Sequence, residues 1–96
     1  YAGAELRADG QWHLDIREQT KAVLENIMHY LNLNQGDLSH LVDVTVFLKN
    51  MADFDAYNEV YNTFFPESGP CRTTVEVSDL PRPQILIEIK ATAFIE

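Results

Sequence analysis

Residues 69–83, Gly69-Pro70-Cys71-Arg72-Thr73-Thr74-Val75-Glu76-Val77-Ser78-Asp79-Leu80-Pro81-Arg82-Pro83, and the run Ile85 to Ile95 behind them decide how this chain is read. The alternation predicts two strands joined by a Pro-rich corner. In the first strand Val75 and Val77 fall on one face, while Arg72, Thr74, Glu76 and Ser78 fall on the other. In the second, Ile85, Ile87, Ile89, Ala91, Ala93 and Ile95 form an apolar face opposite Gln84, Leu86, Glu88, Lys90, Thr92 and Phe94. A turn centred near Pro81 predicts an antiparallel hairpin with Thr74 roughly opposite Glu88 and Arg72 near Lys90. Arg72, Thr74 and Glu88 are then expected together on the sheet face that the core does not use.

Those residue types have a chemical use in combination. A guanidinium is a planar fork that takes a carboxylate through two hydrogen bonds. A nearby carboxylate can hold or activate a water. The pair suits a small carboxylic acid whose neighbouring carbon is to be hydrolysed. The plain alternative is a cross-strand ion pair on a wet surface, contributing about 0.2–1 kcal/mol.

Upstream, Ala8-Asp9-Gly10 is a turn signal and Gln11 to Leu14 a short extended piece, with Trp12 read as packing and His13 as a surface residue. Asp15 reads as an N-cap, with Glu18 completing a capping box. A helix is expected from there to about Leu31 or Leu33, with Ile16, Thr20, Val23, Leu24, Ile27, Met28 and Leu31 as its apolar stripe. Asn32, Asn34 and Gly36 end it. Leu41 to Lys49 predicts a strand with Val42, Val44, Val46 and Leu48 facing the core and Leu41, Asp43, Thr45 and Phe47 facing away. Asp53 is expected to cap a second helix, Phe54 to about Phe65, whose aromatic stripe is read as core, and Pro66 stops it. A sheet face mixing polar groups with Phe47, Leu86 and Phe94 is expected to be covered by a neighbouring subunit.

The 96 residues make one domain, 1–96, and 46% of them are hydrophobic, enough to bury a core. Fifteen acidic residues against seven Lys and Arg give a net charge of -8. That balance disfavours nucleic acid or an anionic membrane as partner. It also repels an anionic substrate at long range, so a carboxylate binder of this composition needs a local cation such as Arg72. A single cysteine, Cys71, excludes an intrachain disulfide and fits a reducing, cytoplasmic setting. No apolar run reaches the roughly 18 residues of a membrane span. His13, His29, His40 and Cys71 match no metal-ligand spacing, and there is no phosphate-binding Gly-rich loop. No metal and no cofactor are expected.

The run GPCRTTVEVSDLPRPQILIEIKATAF resembles the closing signature of the reactive intermediate deaminase family, also known as the YjgF/YER057c/UK114 family. DIREQTKAVLENI resembles the first helix of that family, and VDVTVFLKNMADFDAYNEVYNTFF its central strand and second helix. Several of these segments look most like the 2-aminomuconate deaminase branch. The resemblance implies an α+β sandwich like that of chorismate mutase, with two helices on one face of a mixed sheet. It implies homotrimers, or higher homo-oligomers, with clefts between subunits. It also implies that the chain lacks a hairpin that family members carry before this point.

For function, it implies a cofactor-free hydrolytic deaminase of an enamine or imine acid, with 2-aminomuconate the leading substrate. Arg72 would clamp a carboxylate, Thr73 and Thr74 assist, Asn58 support the cleft and Glu88 hold the attacking water. Many members carry a Cys two residues after the Arg, where this chain has Thr74, so a thiol mechanism there is excluded. A general imine scavenger, or a non-catalytic carboxylate-binding regulator using the same cleft, is the alternative. A chorismate mutase-type isomerase would want more cations than Arg72, Arg82 and Lys90, and RNA cleavage fits poorly with the charge.

Overall fold

The structure, a computed structural model, describes residues 15–66, 69–82 and 84–95. Trp12, His13 and the turn at residues 8–10 lie outside the described residues. The elements run α1 (Ile16–Leu33), a 3₁₀ turn (Leu38–His40), β1 (Leu41–Leu48), a second 3₁₀ turn (Met51–Asp53), α2 (Phe54–Phe64), β2 (Cys71–Glu76) and β3 (Ile87–Ala93).

The helix α1 begins where its cap predicts. The Asp15 carboxylate accepts from the backbone N–H groups of Arg17 at 2.7 Å and Glu18 at 3.3 Å. The expected stripe is buried, Met28 only partly. Gln19 is buried with it. Its amide donates to Gln84 O at 2.9 Å and accepts from Leu86 N–H at 2.8 Å. A side-chain amide thus pairs with the backbone leading into β3 as a neighbouring strand would. At the C-terminus, Gly36 N–H reaches Leu31 O and Gln35 N–H reaches Asn32 O, a Schellman closure. The left-handed residue is Gln35, at φ 64°, rather than a glycine. Gly36 serves close approach instead, since a Cβ there would meet Ile95 Cδ1 at 2.6 Å.

The sheet corrects the expected hairpin. The strand order is β2-β1-β3, so the two strands on either side of the Pro-rich corner never pair. β2 runs parallel to β1, with Val44 beside Arg72 and Val46 beside Thr74. β3 runs antiparallel on the other side, with Val46 beside Ile89 and Phe47 beside Glu88. Glu88 faces Phe47 across the ladder, not Thr74. The reason is the connection. Residues 77–86 carry the chain over β1 as Val77 N–H bonds Leu48 O and Lys49 N–H bonds Leu86 O, a span that no tight hairpin turn could make.

A second correction lies at the start of β1. Leu41 pairs with Ala93 and Asp43 already with Thr92, so Val42 is an extra residue in a β-bulge. The bulge resets the alternation. Leu41 is buried and Val42 is 51% exposed, the reverse of the expected phase, while Val44, Val46 and Leu48 are buried as expected.

Both helices lie on the face of the sheet that carries Val44, Val46, Ile87 and Ile89, and the core is one cluster that adds Val23, Leu24, Ile27, Tyr57 and Tyr61 from the helices. The α+β sandwich with two helices on one face of a mixed sheet is therefore the fold. Asp53 makes no side-chain cap to α2; Asn50 instead caps the preceding 3₁₀ turn through Ala52 N–H at 2.9 Å. Among the described residues, no helix is long and apolar enough to cross a membrane.

Candidate functional site

Residues paired across a ladder share a face. Arg72 and Thr74 stand beside Val44 and Val46, so both project toward the helix layer. This reverses the expectation that Arg72 would occupy the face the core does not use. The cause is position: β2 is the strand next to β1 beneath α2, where the helix offers polar and aromatic groups instead of aliphatic ones.

Those groups form a cradle. Arg72 Nη1 donates to Asn58 Oδ1 at 2.7 Å and to the Tyr57 hydroxyl at 3.3 Å. The guanidinium carbon lies 4.3 Å from the centre of the Tyr61 ring and 5.8 Å from that of Tyr57. The nearer contact is a cation–π distance. Tyr57 closes the cradle through a 2.5 Å hydroxyl pair with Thr74 Oγ1. Its ring and those of Phe54, Tyr61 and Phe65 succeed one another about one helical turn apart, with neighbouring centres 5.5, 6.2 and 4.7 Å apart. This aromatic ladder runs along α2 over the arginine.

The Tyr61 hydroxyl is buried and has no hydrogen-bond partner among the described residues. Burial pushes its phenol above the usual range; the Arg72 charge pulls it back and Tyr57 adds to the rise. Arg72 itself makes no ion pair among the described residues, unlike Arg17, which bonds Glu59 at 2.9 Å, and Lys49, which stands 3.7 Å from Asp79. In a chain of net charge -8, Arg72 is thus held by neutral groups among the described residues, and its charge has no carboxylate partner there.

The remaining expected site residues divide. Asn58 and Thr74 join the arginine. Thr73 stands beside Thr45 on the opposite, open face of the sheet. Glu88 is on that face too, half-buried in a shallow groove with Phe47, Lys90 and Ala91. Arg72 and Glu88 are thus on opposite faces of one sheet, with β1 between their strands. Tyr57 and Tyr61 are the partners that the sequence reading assigned to the core alone. Their spacing of four, flanking Asn58, was visible, but only the parallel pairing of β1 with β2 shows that Arg72 lies beneath them.

The class that the structure defines is a small α+β sandwich with two helices on one face of a mixed sheet. Sequence comparison makes the class specific. The profile described as Endoribonuclease L-PSP matches residues 2–95. A RutC family protein of Pyrococcus abyssi is 50% identical over 82 residues, covering 85% of this chain and 64% of that protein. The 3-aminoacrylate deaminase RutC of Acinetobacter baylyi is 41% identical over 81 residues, covering 84% of this chain and 64% of that protein. The crystal structure of E. coli TdcF with bound serine superposes with a TM-score of 0.85 at 27% identity, over 100% of this chain and 78% of that one. The chain belongs to the L-PSP family, the YjgF/RutC group whose named members include a 3-aminoacrylate deaminase and a reactive intermediate deaminase. It spans 64% of the length of the two curated relatives above.

Proposed function

We propose that this protein is a cofactor-free hydrolytic deaminase of a small enamine or imine carboxylic acid, with 2-aminomuconate the first substrate to test. The observation that carries the reading is Arg72, held by Asn58, Tyr57 and Tyr61 with no carboxylate partner among the described residues. The serine bound in TdcF and the 3-aminoacrylate named for RutC are both small amino carboxylates, which supports a slot of this kind.

In this reading the substrate carboxylate pairs with Arg72, assisted by backbone N–H groups near Thr73 and Thr74. Protonation on carbon converts the enamine to the imine, whose carbon is electrophilic. A water adds to that carbon and gives a proton to the Glu88 carboxylate as the imine nitrogen takes one from solvent. Glu88 then returns its proton to the nitrogen of the resulting carbinolamine, the C–N bond breaks to release ammonia, and the hydroxyl gives its proton to solvent, leaving the keto acid. Such imines hydrolyse unaided, so holding the water and substrate in line is what the protein supplies.

One chain turns Arg72 and Glu88 to opposite faces of its sheet, so the reading requires that a site combine Arg72 of one copy with Glu88 of another. A homotrimer with clefts between subunits meets that requirement, and the open face with Phe47 and the 67% exposed Phe94 supplies apolar surface for it. The test is ammonia release from freshly generated 2-aminomuconate by the full chain, by Arg72→Ala, by Glu88→Gln, and by the two variants refolded together. Each variant alone is expected to be inactive, and the mixture to regain about a quarter of wild-type activity, because random assembly reunites the two intact residues in that fraction of shared sites. No recovery on mixing would sink the shared site. A wild type that binds carboxylates yet releases no ammonia would establish the regulator reading instead.

A further inference from the structure

Arg72 carries donors only, so the Tyr57 oxygen is the acceptor in their 3.3 Å bond. The same oxygen lies 2.5 Å from Thr74 Oγ1. Tyr57 is fully buried and has one proton to place. Thr74 is the one acceptor within reach among the described residues, and a buried donor left unpaired costs about 1–3 kcal/mol. The proton of Tyr57 therefore points to Thr74, and the chain of bonds runs from Arg72 through Tyr57 to Thr74. A hydroxyl that accepts from a polarised phenol is a better donor through its own proton. Thr74 is half-buried, two residues along β2 from Arg72 and on the same face.

We propose that Arg72, Tyr57 and Thr74 form a directed hydroxyl relay. It ends in a Thr74 O–H that donates to the substrate carboxylate beside the Arg72 fork, and Tyr57 is a positioning residue that never touches the substrate. The proposal rests on the carboxylate-slot reading above and adds a second donor to it. Thr74 thereby gains a role different from that of a thiol at the same place. A cysteine is a weak donor and would not end the relay with a comparable hydrogen bond.

The experiment is calorimetric titration with L-serine and with muconate, alongside steady-state deamination, for wild type, Tyr57→Phe, Thr74→Val, Thr74→Ser, Arg72→Ala and the Tyr57→Phe/Thr74→Val double variant. Tyr57→Phe and Thr74→Val are each expected to weaken carboxylate binding and raise KM about fivefold, the equivalent of one neutral hydrogen bond, with kcat changed less than about twofold. The double variant should lose no more than either single one, because one relay is cut in both. Thr74→Ser should retain wild-type affinity. Additive losses, or wild-type KM in Tyr57→Phe with binding lost in Arg72→Ala, would overturn the relay and leave the slot standing. Undiminished binding in Arg72→Ala, or no binding of either carboxylate by wild type, would overturn the slot itself. A lowered urea midpoint with unchanged KM would reduce Tyr57 to a packing residue and also overturn the relay.

Discussion

The two faces of the sheet differ in kind. Toward the helices, Val44, Val46, Ile87 and Ile89 are buried, and the charged groups of β2 on that side are held by the chain itself: Arg72 by Asn58, Tyr57 and Tyr61, and Glu76 by Met51 N–H. On the other side Asp43, Thr45, Phe47, Glu88, Lys90 and Thr92 line a face that nothing in the chain's described residues covers. The first face is finished within one chain. The second has its chemistry in place and its enclosure missing. On the proposed reading the binding group arrives already oriented, while the group that works on the water sits on a surface for a second copy to close. Orientation fixed in advance reduces the ordering cost of binding.

The sharpest way to break this contrast uses adjacent residues on opposite faces. Ile89→Ala empties a fully buried site and is expected to cost about 2–5 kcal/mol in urea unfolding. Glu88→Gln, one residue earlier, should move stability by less than about 0.5 kcal/mol while slowing deamination about a hundredfold or more. Similar unfolding losses in the two would mean that the faces are not distinct in the folded protein.

Gln19 tests how the finished face is sewn to the Pro-rich connection. Gln19→Ala leaves Leu86 N–H and Gln84 O without their partner, and should cost about 1–3 kcal/mol of stability. A fall in amide-exchange protection at Leu86 ahead of the β1–β3 ladder would show that the loss is local.

The smallest effect concerns pH. Hydrogen bonds from the Ser39 side chain and backbone, with a lesser contribution from His40, hold the Asp37 carboxyl below its usual range, and Arg17 does the same for Glu59. A carboxyl depressed in the folded state adds stability above its unfolded pKa, near pH 4, and loses it as pH falls through the folded value. Both groups are fully exposed, so the expected signature is a shallow decline in Tm on acidification below about pH 4, shallower still in Asp37→Asn. A slope unchanged by that substitution would remove Asp37 from the balance.

Local pattern made the helices and strands legible, because each buries a face at its own period: the stripe of α1, its Asp15 cap, the alternation of β3 and that of β1 from Asp43 onward read directly, while the phase before the Val42 bulge did not. Pairing was not legible. Alternation states which residues share a face of one strand, but it does not state which strand lies beside it, so residues 72–78 and 85–95 read as a hairpin when β1 separates them. Arg72 stood out by its residue type but was expected on the opposite face, and Tyr57 and Tyr61 were passed over because an aromatic stripe on a helix reads as core until its neighbour is known. Gln19 and Gln35 were invisible for a related reason. An amide that imitates a strand, and a left-handed residue that is not glycine, both depart from the usual residue for the task.

The bulge at Val42 bears on how this chain can change in length. Elsewhere in β1, losing one residue would invert every side chain beyond the lesion and exchange the finished face for the open one. Val42 is already surplus to the ladder. Its deletion would leave Leu41 inward and Asp43 outward in regular alternation, so this is the one point in β1 where the strand can shorten by a residue and keep both faces.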